Sequence, residues 1–283
     1  MLRDNGGIRN VSEYIVQYET VTVHGRELLI ARPQNGPDNT VGLLWIHGGG
    51  YHFGVKEWSM VRCEPLVKKY GVVVLSPDYR LSGEAPFPAA LKDCYAALLY
   101  MKEHAAELGI DPERLFVGGD SSGGGMCAAV CMLARDRGDV QIAFQFPMYP
   151  MLDYRETETS RDNHGQGWDS EQNREAWRRY LNGQTENISP YASPALQTNY
   201  AGLPPAYTLV GTGEPFYAET LAYVENLRRF GVEAQADVYD TDIHGFDTDY
   251  PELAVSQAAN KRFYEVFAQV MTQYRAPQCG KEA

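Results

Sequence analysis

RLFVGGDSSGGGMCAAV, residues 114–130, joins two kinds of segment by one turn. Leu115, Phe116 and Val117 form a short apolar run of strand type, and the small residues beyond Gly123 suit a closely packed helix. Between them, Gly119-Asp120-Ser121-Ser122-Gly123 matches G-x-S-x-G. A strand that turns sharply into a helix strains the central serine, and side chains two residues to either side would collide. Glycine at 119 and 123 removes that collision. The pentapeptide alone is a weak signal, because plain glycine turns and phosphate-cradling loops share its composition. Against a phosphate loop, no G-x-x-x-x-G-K-[ST] is present and Asp120 would repel an anion. The strand before and the helix after make this a nucleophile elbow, with Ser121 as the nucleophile.

Outward from the elbow the chain alternates. VGLLWIH (41–47), GVVVLSP (71–77), IAFQFPMYP (142–150), AYTLVG (206–211) and AQADVYD (234–240) read as further strands, the first two as continuous apolar runs covered on both faces. Residues 13–33 mix apolar, polar and β-branched residues, as in an antiparallel opening hairpin. Helical stretches lie between the strands, over 57–70, 87–108, 123–138 and 218–231. In the closing helix, 252–274, Val255, Ala259, Phe263, Val266 and Val270 make a core stripe. This order predicts the α/β class, a mostly parallel sheet with helices on both faces, folded as one domain over residues 1–283. Catalytic groups in such sheets gather past the carboxyl ends of the strands. The exception is 151–205, polar, long and holding Trp168 and Trp177, which reads as a lid or binding segment with a short helix near 170–181.

Composition narrows the function. A formal charge of −12 opposes nucleic-acid and anionic-membrane partners and serves solubility. MLRDNGGIRN has no apolar core of a secretory signal, and no apolar stretch is long enough to span a bilayer. The five cysteines (Cys63, Cys94, Cys127, Cys131 and Cys279) are odd in number without metal-ligand spacing. A reduced, cytoplasmic setting is expected, and a homodimer is left open.

IHGGGYHFG (46–54) follows the strand at 41–47. Consecutive glycines bare several N–H groups that can converge on one developing negative charge, as acyl transfer requires. The expected donors are Gly49, Gly50 and Ser122, and the competing account is a flexible glycine turn. Of six histidines, only His244 follows the last strand and precedes the final helix, the place for the base. His47 reads as structural, His52 as a surface or pocket-rim residue, and His164 as a solvated loop residue.

With these pieces in order the sequence resembles the hormone-sensitive-lipase-like family of bacterial carboxylesterases. The resemblance rests on HGGGY (47–51), PDYRLSGEAPFPAALKD (77–93), GDSSGG (119–124), GTGEPF (211–216) and HGF (244–246), and spans about residues 41–250. It implies an α/β-hydrolase fold with an eight-stranded core, a small helical cap within 1–20 and 151–205, and hydrolysis of short acyl esters without a cofactor. The family carries its acid in a D-P-[LF] element. Glu214-Pro215-Phe216 stands there, so the resemblance assigns the acid to Glu214, in the order Ser121, Glu214, His244. Asp240, Asp242 and Asp247 compete by nearness to His244. Ser82-Gly83 replaces the family's Ala-Pro. Tyr51, Phe53, Phe216 and Phe246 adjoin the catalytic loops and are expected to wall a substrate pocket, with core packing as the alternative for each. The expected activity is that of a serine esterase on a small-molecule ester. A receptor on the same fold, a peptidase or amidase, and an interfacial lipase are its rivals.

Overall fold

The opening hairpin pairs β1 (Val16–Val23) with β2 (Arg26–Pro33), turning at His24 and Gly25, whose φ angles are 49° and 81°. The computed structural model describes residues 13–278. Six further strands follow: β3 (Thr40–Ile46), β4 (Val73–Pro77), β5 (Ile110–Asp120), β6 (Phe144–Met148), β7 (Ala206–Gly211) and β8 (Ala234–Tyr239). They form one eight-stranded sheet in the order β1-β2-β4-β3-β5-β6-β7-β8. Only the pairings made by β2 are antiparallel; from β4 to β8 neighbours run parallel. The expected α/β-hydrolase fold is what the chain adopts. Every residue of β3, β4, β6 and β7 is buried, as a strand covered on both faces requires. β1, at one edge, alternates between half-buried and exposed.

Two apolar cores lie against the sheet. One holds Cys63, Leu66 and Val67 of α1 (Ser59–Tyr70) with Ala259, Phe263, Phe267 and Val270 of α7 (Ala254–Gln273). The other takes α2 (Ala89–Glu103), α3 (Ser122–Arg137), α4 (Ser170–Tyr180) and α5 (Tyr217–Arg229). A four-residue turn, α6 (Phe246–Asp249), follows β8. Cys63, Cys94, Cys127 and Cys131 are free and buried. Cys279 lies outside the described residues, as do residues 1–12 of the stretch where a cap element was expected; residues 16–20 belong to β1. Among the described residues no helix is long and apolar enough to cross a membrane.

Candidate active site

β5 ends at Asp120 and α3 begins at Ser122, so Ser121 alone makes the turn, at φ 58° and ψ −119°. That is left-handed backbone on a residue with a side chain, and the surroundings hold it there. The Ser121 N–H donates to Met148 O (3.0 Å), while its carbonyl accepts from Gly125 and Met151 N–H, both at 3.0 Å. The flanking glycines are required by close backbone approach. A Cβ on Gly119 would lie 2.3 Å from Gly123 O, and one on Gly123 would lie 2.0 Å from Ile46 O. Ile46 is the end of β3, so the same absence of side chains brings the loop after β3 against the elbow.

His244 follows β8, its N–H donating to Gln166 O at 2.8 Å. Its Nε2 lies 2.9 Å from Ser121 Oγ and its Nδ1 2.5 Å from Glu214 Oε2. In the tautomer these contacts select, Nδ1–H donates to the carboxylate and Nε2 accepts the serine proton. The second oxygen of Glu214 accepts the Gly211 N–H at 2.6 Å. Burial raises the Glu214 carboxyl, and the facing imidazole pulls it back down. Ser121 and His244 keep 8% of their surface while Glu214 has none, so the first two can meet a ligand and the third cannot. The rival carboxylates are elsewhere. Asp240 accepts from Thr212 Oγ1 at the surface, Asp242 is exposed, and Asp247 is buried with Oδ2 2.8 Å from Arg62 Nη2.

In the loop after β3, Gly49, Gly50 and Tyr51 have φ angles of 111°, 57° and 63°. Neither the Gly49 nor the Gly50 N–H meets an acceptor among the described residues, and Ser122, opening α3, has no intrahelical acceptor for its own. Gly49 lines the cavity beside Ser121. Gly50 has a second reason to be glycine, because a Cβ there would sit 2.4 Å from the Trp168 ring. His47 braces this loop: its ring stacks on Tyr79 at 4.3 Å and its Nδ1 meets Gly48 O at 2.7 Å. Burial pushes its imidazole down to about 4. His52 Nδ1 lies 3.0 Å from Gly50 O, and His164 is exposed beside Asp162; neither lines the Ser121 cavity, though the His52 ring packs on Phe53, which does.

That cavity, about 470 Å³, opens above Ser121 and His244. Of the four aromatic residues expected to wall it, Phe53 alone does so. Tyr51 is instead stacked on Tyr180 at 4.0 Å, with its hydroxyl on Met151 O. Phe216 packs edge-on behind the His244 ring at 5.0 Å, and Phe246 is fully buried in the α7-side core. Each sits next to a catalytic loop in sequence, yet large apolar rings there lower the free energy most by filling the space beneath it. Trp58, Tyr149, Trp168 and Asp249 line the cavity without having been singled out as pocket residues. Trp168 sits in the 151–205 segment, which gave a signal of a binding role; the others gave none. Beneath the floor, Arg62 of α1 joins Asp120 (Nε to Oδ1, 2.9 Å), Tyr149 Oη (2.9 Å) and Asp247.

The arrangement defines a class: the chain belongs to a family with the alpha/beta hydrolase fold, whose pattern matches residues 43–248. Among its relatives are a carboxylic ester hydrolase, LipN, of Mycobacterium tuberculosis, 34% identical over 223 residues, and the esterase LipI of the same organism, 32% identical over 219. Each alignment covers 76% of this chain, with 59% of the first relative and 68% of the second, so the chain spans well under the full length of the first. A solved bacterial heroin esterase superposes with a TM-score of 0.82 at 33% identity, over 93% of this chain and 85% of that one. The resemblance to the hormone-sensitive-lipase-like esterases is thereby borne out.

Proposed function

We propose that the chain is a serine carboxylesterase that hydrolyses short acyl esters through an acyl-enzyme. The carrying observation is the unbroken contact from Ser121 Oγ to His244 (2.9 Å) to Glu214 (2.5 Å) at the floor of an open cavity. Esterase names among the relatives support the reaction class.

The Ser121 oxygen attacks the ester carbonyl as His244 Nε2 takes its proton. The carbonyl oxygen becomes anionic and is held by the N–H groups of Gly49, Gly50 and Ser122. Collapse breaks the bond to the alcohol, whose oxygen receives the proton from His244. Water, deprotonated by the same nitrogen, then releases the acid. Glu214 keeps the imidazole in the working tautomer and stabilises its cation. The segment 151–205 serves as the cap: Trp168 closes over Gly50 while Trp177 and Tyr180 of α4 pack on Tyr51. The modest cavity supports small acyl groups.

The test is hydrolysis of p-nitrophenyl acetate, butyrate and octanoate by the wild type and Ser121→Ala. Turnover fastest on the shorter esters and lost in the variant is expected. Absence of turnover by the folded wild type overturns the proposal, and turnover that survives in the variant overturns the serine mechanism.

A further inference from the structure

The cavity above Ser121 has an uneven chemistry. Phe53, Trp58, Tyr149 and Trp168 give it aromatic walls, and among the described residues its only carboxylates are Asp120 and Asp249 and no lysine or arginine lines it. Asp120 already has a counter-charge, since Arg62 lies on its Oδ1. Asp249 has none. It is exposed, its side chain meets the Thr248 hydroxyl at 3.3 Å, and no cation is paired with it among the described residues. His47, which also lines the cavity, is held neutral near pH 7 by burial and adds no positive charge. Aromatic faces carry negative potential and attract organic cations, most of all where water is partly excluded.

The position of Asp249 fixes which part of an ester would meet it. In the mechanism above, the alcohol oxygen takes its proton from His244 Nε2, so the alcohol portion lies over the His244 loop. Asp249 ends α6, the turn that directly follows that loop, with its Oδ2 3.2 Å from where a Cβ of Gly245 would stand. Trp168 is on the strand of chain packed against the same loop: a Cβ on the preceding Gly167 would lie 2.7 Å from His244 O. Trp58, half exposed, stands at the mouth with Phe53, their ring centroids 6.0 Å apart. A carboxylate without a counter-charge therefore lies on the leaving-group side with Trp168 and with Tyr149, whose ring meets that of His244 at 5.0 Å, while Phe53 and Trp58 line the same cavity. The net charge of −12 adds a long-range field of the same sign.

We infer that the site selects esters whose alcohol portion carries an ammonium group, quaternary or protonated. This rests on the serine-esterase reading and deepens it. The reaction is ordinary hydrolysis: the acyl group passes to Ser121 Oγ, the amino alcohol leaves with the serine proton, and water supplies the acid's oxygen and restores the proton.

The experiment compares kcat/KM for acetylcholine with that for its neutral isostere, the acetate in which a tert-butyl group replaces the trimethylammonium. At low ionic strength the cationic ester is expected to be favoured about tenfold, from cation–π and charge attraction together. The ratio should shrink as salt is added, and Asp249→Asn should lower it about fivefold at low salt. A wild-type ratio near one, or a ratio that the variant and salt both leave unchanged, overturns the inference. Turnover of the neutral ester without charge preference leaves the esterase reading intact. If neither acetate nor p-nitrophenyl acetate is hydrolysed, that reading falls and takes this one with it.

Discussion

Glu214 and His47 show what one buried titratable side chain does in this molecule. Both oxygens of Glu214 are occupied, one by a backbone N–H and one by the imidazole. Glu214→Gln keeps the shape but puts an amide where an anion faces Nδ1, which favours the wrong tautomer. The expected result is a folded protein with kcat on p-nitrophenyl acetate reduced about 10³-fold or more; near-normal kcat would show that Glu214 is not the acid. His47 governs stability instead. Its folded value of about 4 lies below the ordinary imidazole value of about 6.5. Between those limits the unfolded chain binds a proton that the folded chain refuses, so stability falls as pH drops through that window, by about 3 kcal/mol in all. Glu214 and Glu219, raised by burial, act in the opposite sense there. The measurement is therefore a difference: urea denaturation of wild type and His47→Gln at several values of pH. The wild type should lose about 3 kcal/mol more than the variant on acidification, and parallel curves would reject the account. Ser121 and His244 were legible because strand order places them. The assignment of Glu214 needed the resemblance, since several aspartates, Asp240, Asp242 and Asp247 among them, lie nearer His244 in sequence.

Elements carry the site through contacts that no local pattern announces. Residues 159–168 run between the Glu214 loop and the His244 loop. Thr159 Oγ1 donates to Pro215 O (2.9 Å), Asn163 Nδ2 to Gly213 O (2.9 Å), and Gln166 O accepts from His244 N–H (2.8 Å). A segment read as a lid or binding segment thus also braces the loops that carry Glu214 and His244. Helix α1 does comparable work from below, where Arg62 ties the end of β5 through Asp120 to α6 through Asp247. Its side chain is 1% exposed, so the pairing is made in a low-dielectric interior. Arg62→Met would leave the buried Asp247 and the partly buried Asp120 without their cation, a loss of about 3 kcal/mol by analogy with broken buried pairs. Urea midpoints should show it, and Arg62→Met combined with Asp247→Leu should recover part. A single-variant cost below about 1 kcal/mol would mean the cluster is not held as a charged unit. In sequence Arg62 is one of several basic residues on a helix, and only its burial distinguishes it.

At the scale of the whole molecule, one sheet separates two cores, and the tryptophans sample both. Trp45 lies with α1 and α7, while Trp168 and Trp177 of the 151–205 segment lie on the other face. If residues 151–205 fold with the sheet, tryptophan fluorescence and far-UV circular dichroism should report one coincident urea transition. A fluorescence transition at lower urea would make the cap a separately melting unit. The sequence by itself determined the alternation of strand and helix, the sheet class, the elbow at Ser121, the glycine loop before it and the histidine after the last strand. These are local facts: burial on both faces demands unbroken apolar runs, and a close backbone approach demands glycine at fixed spacing. The tertiary structure alone decided that Tyr51, Phe216 and Phe246 fill space beneath the loops while Trp58 and Trp168 reach the cavity, and that Arg62 is buried between two aspartates. Those outcomes depend on the direction in which a side chain leaves its loop. That direction is set by packing against residues as much as 185 positions away, as Arg62 and Asp247 are, and no short stretch of sequence encodes it.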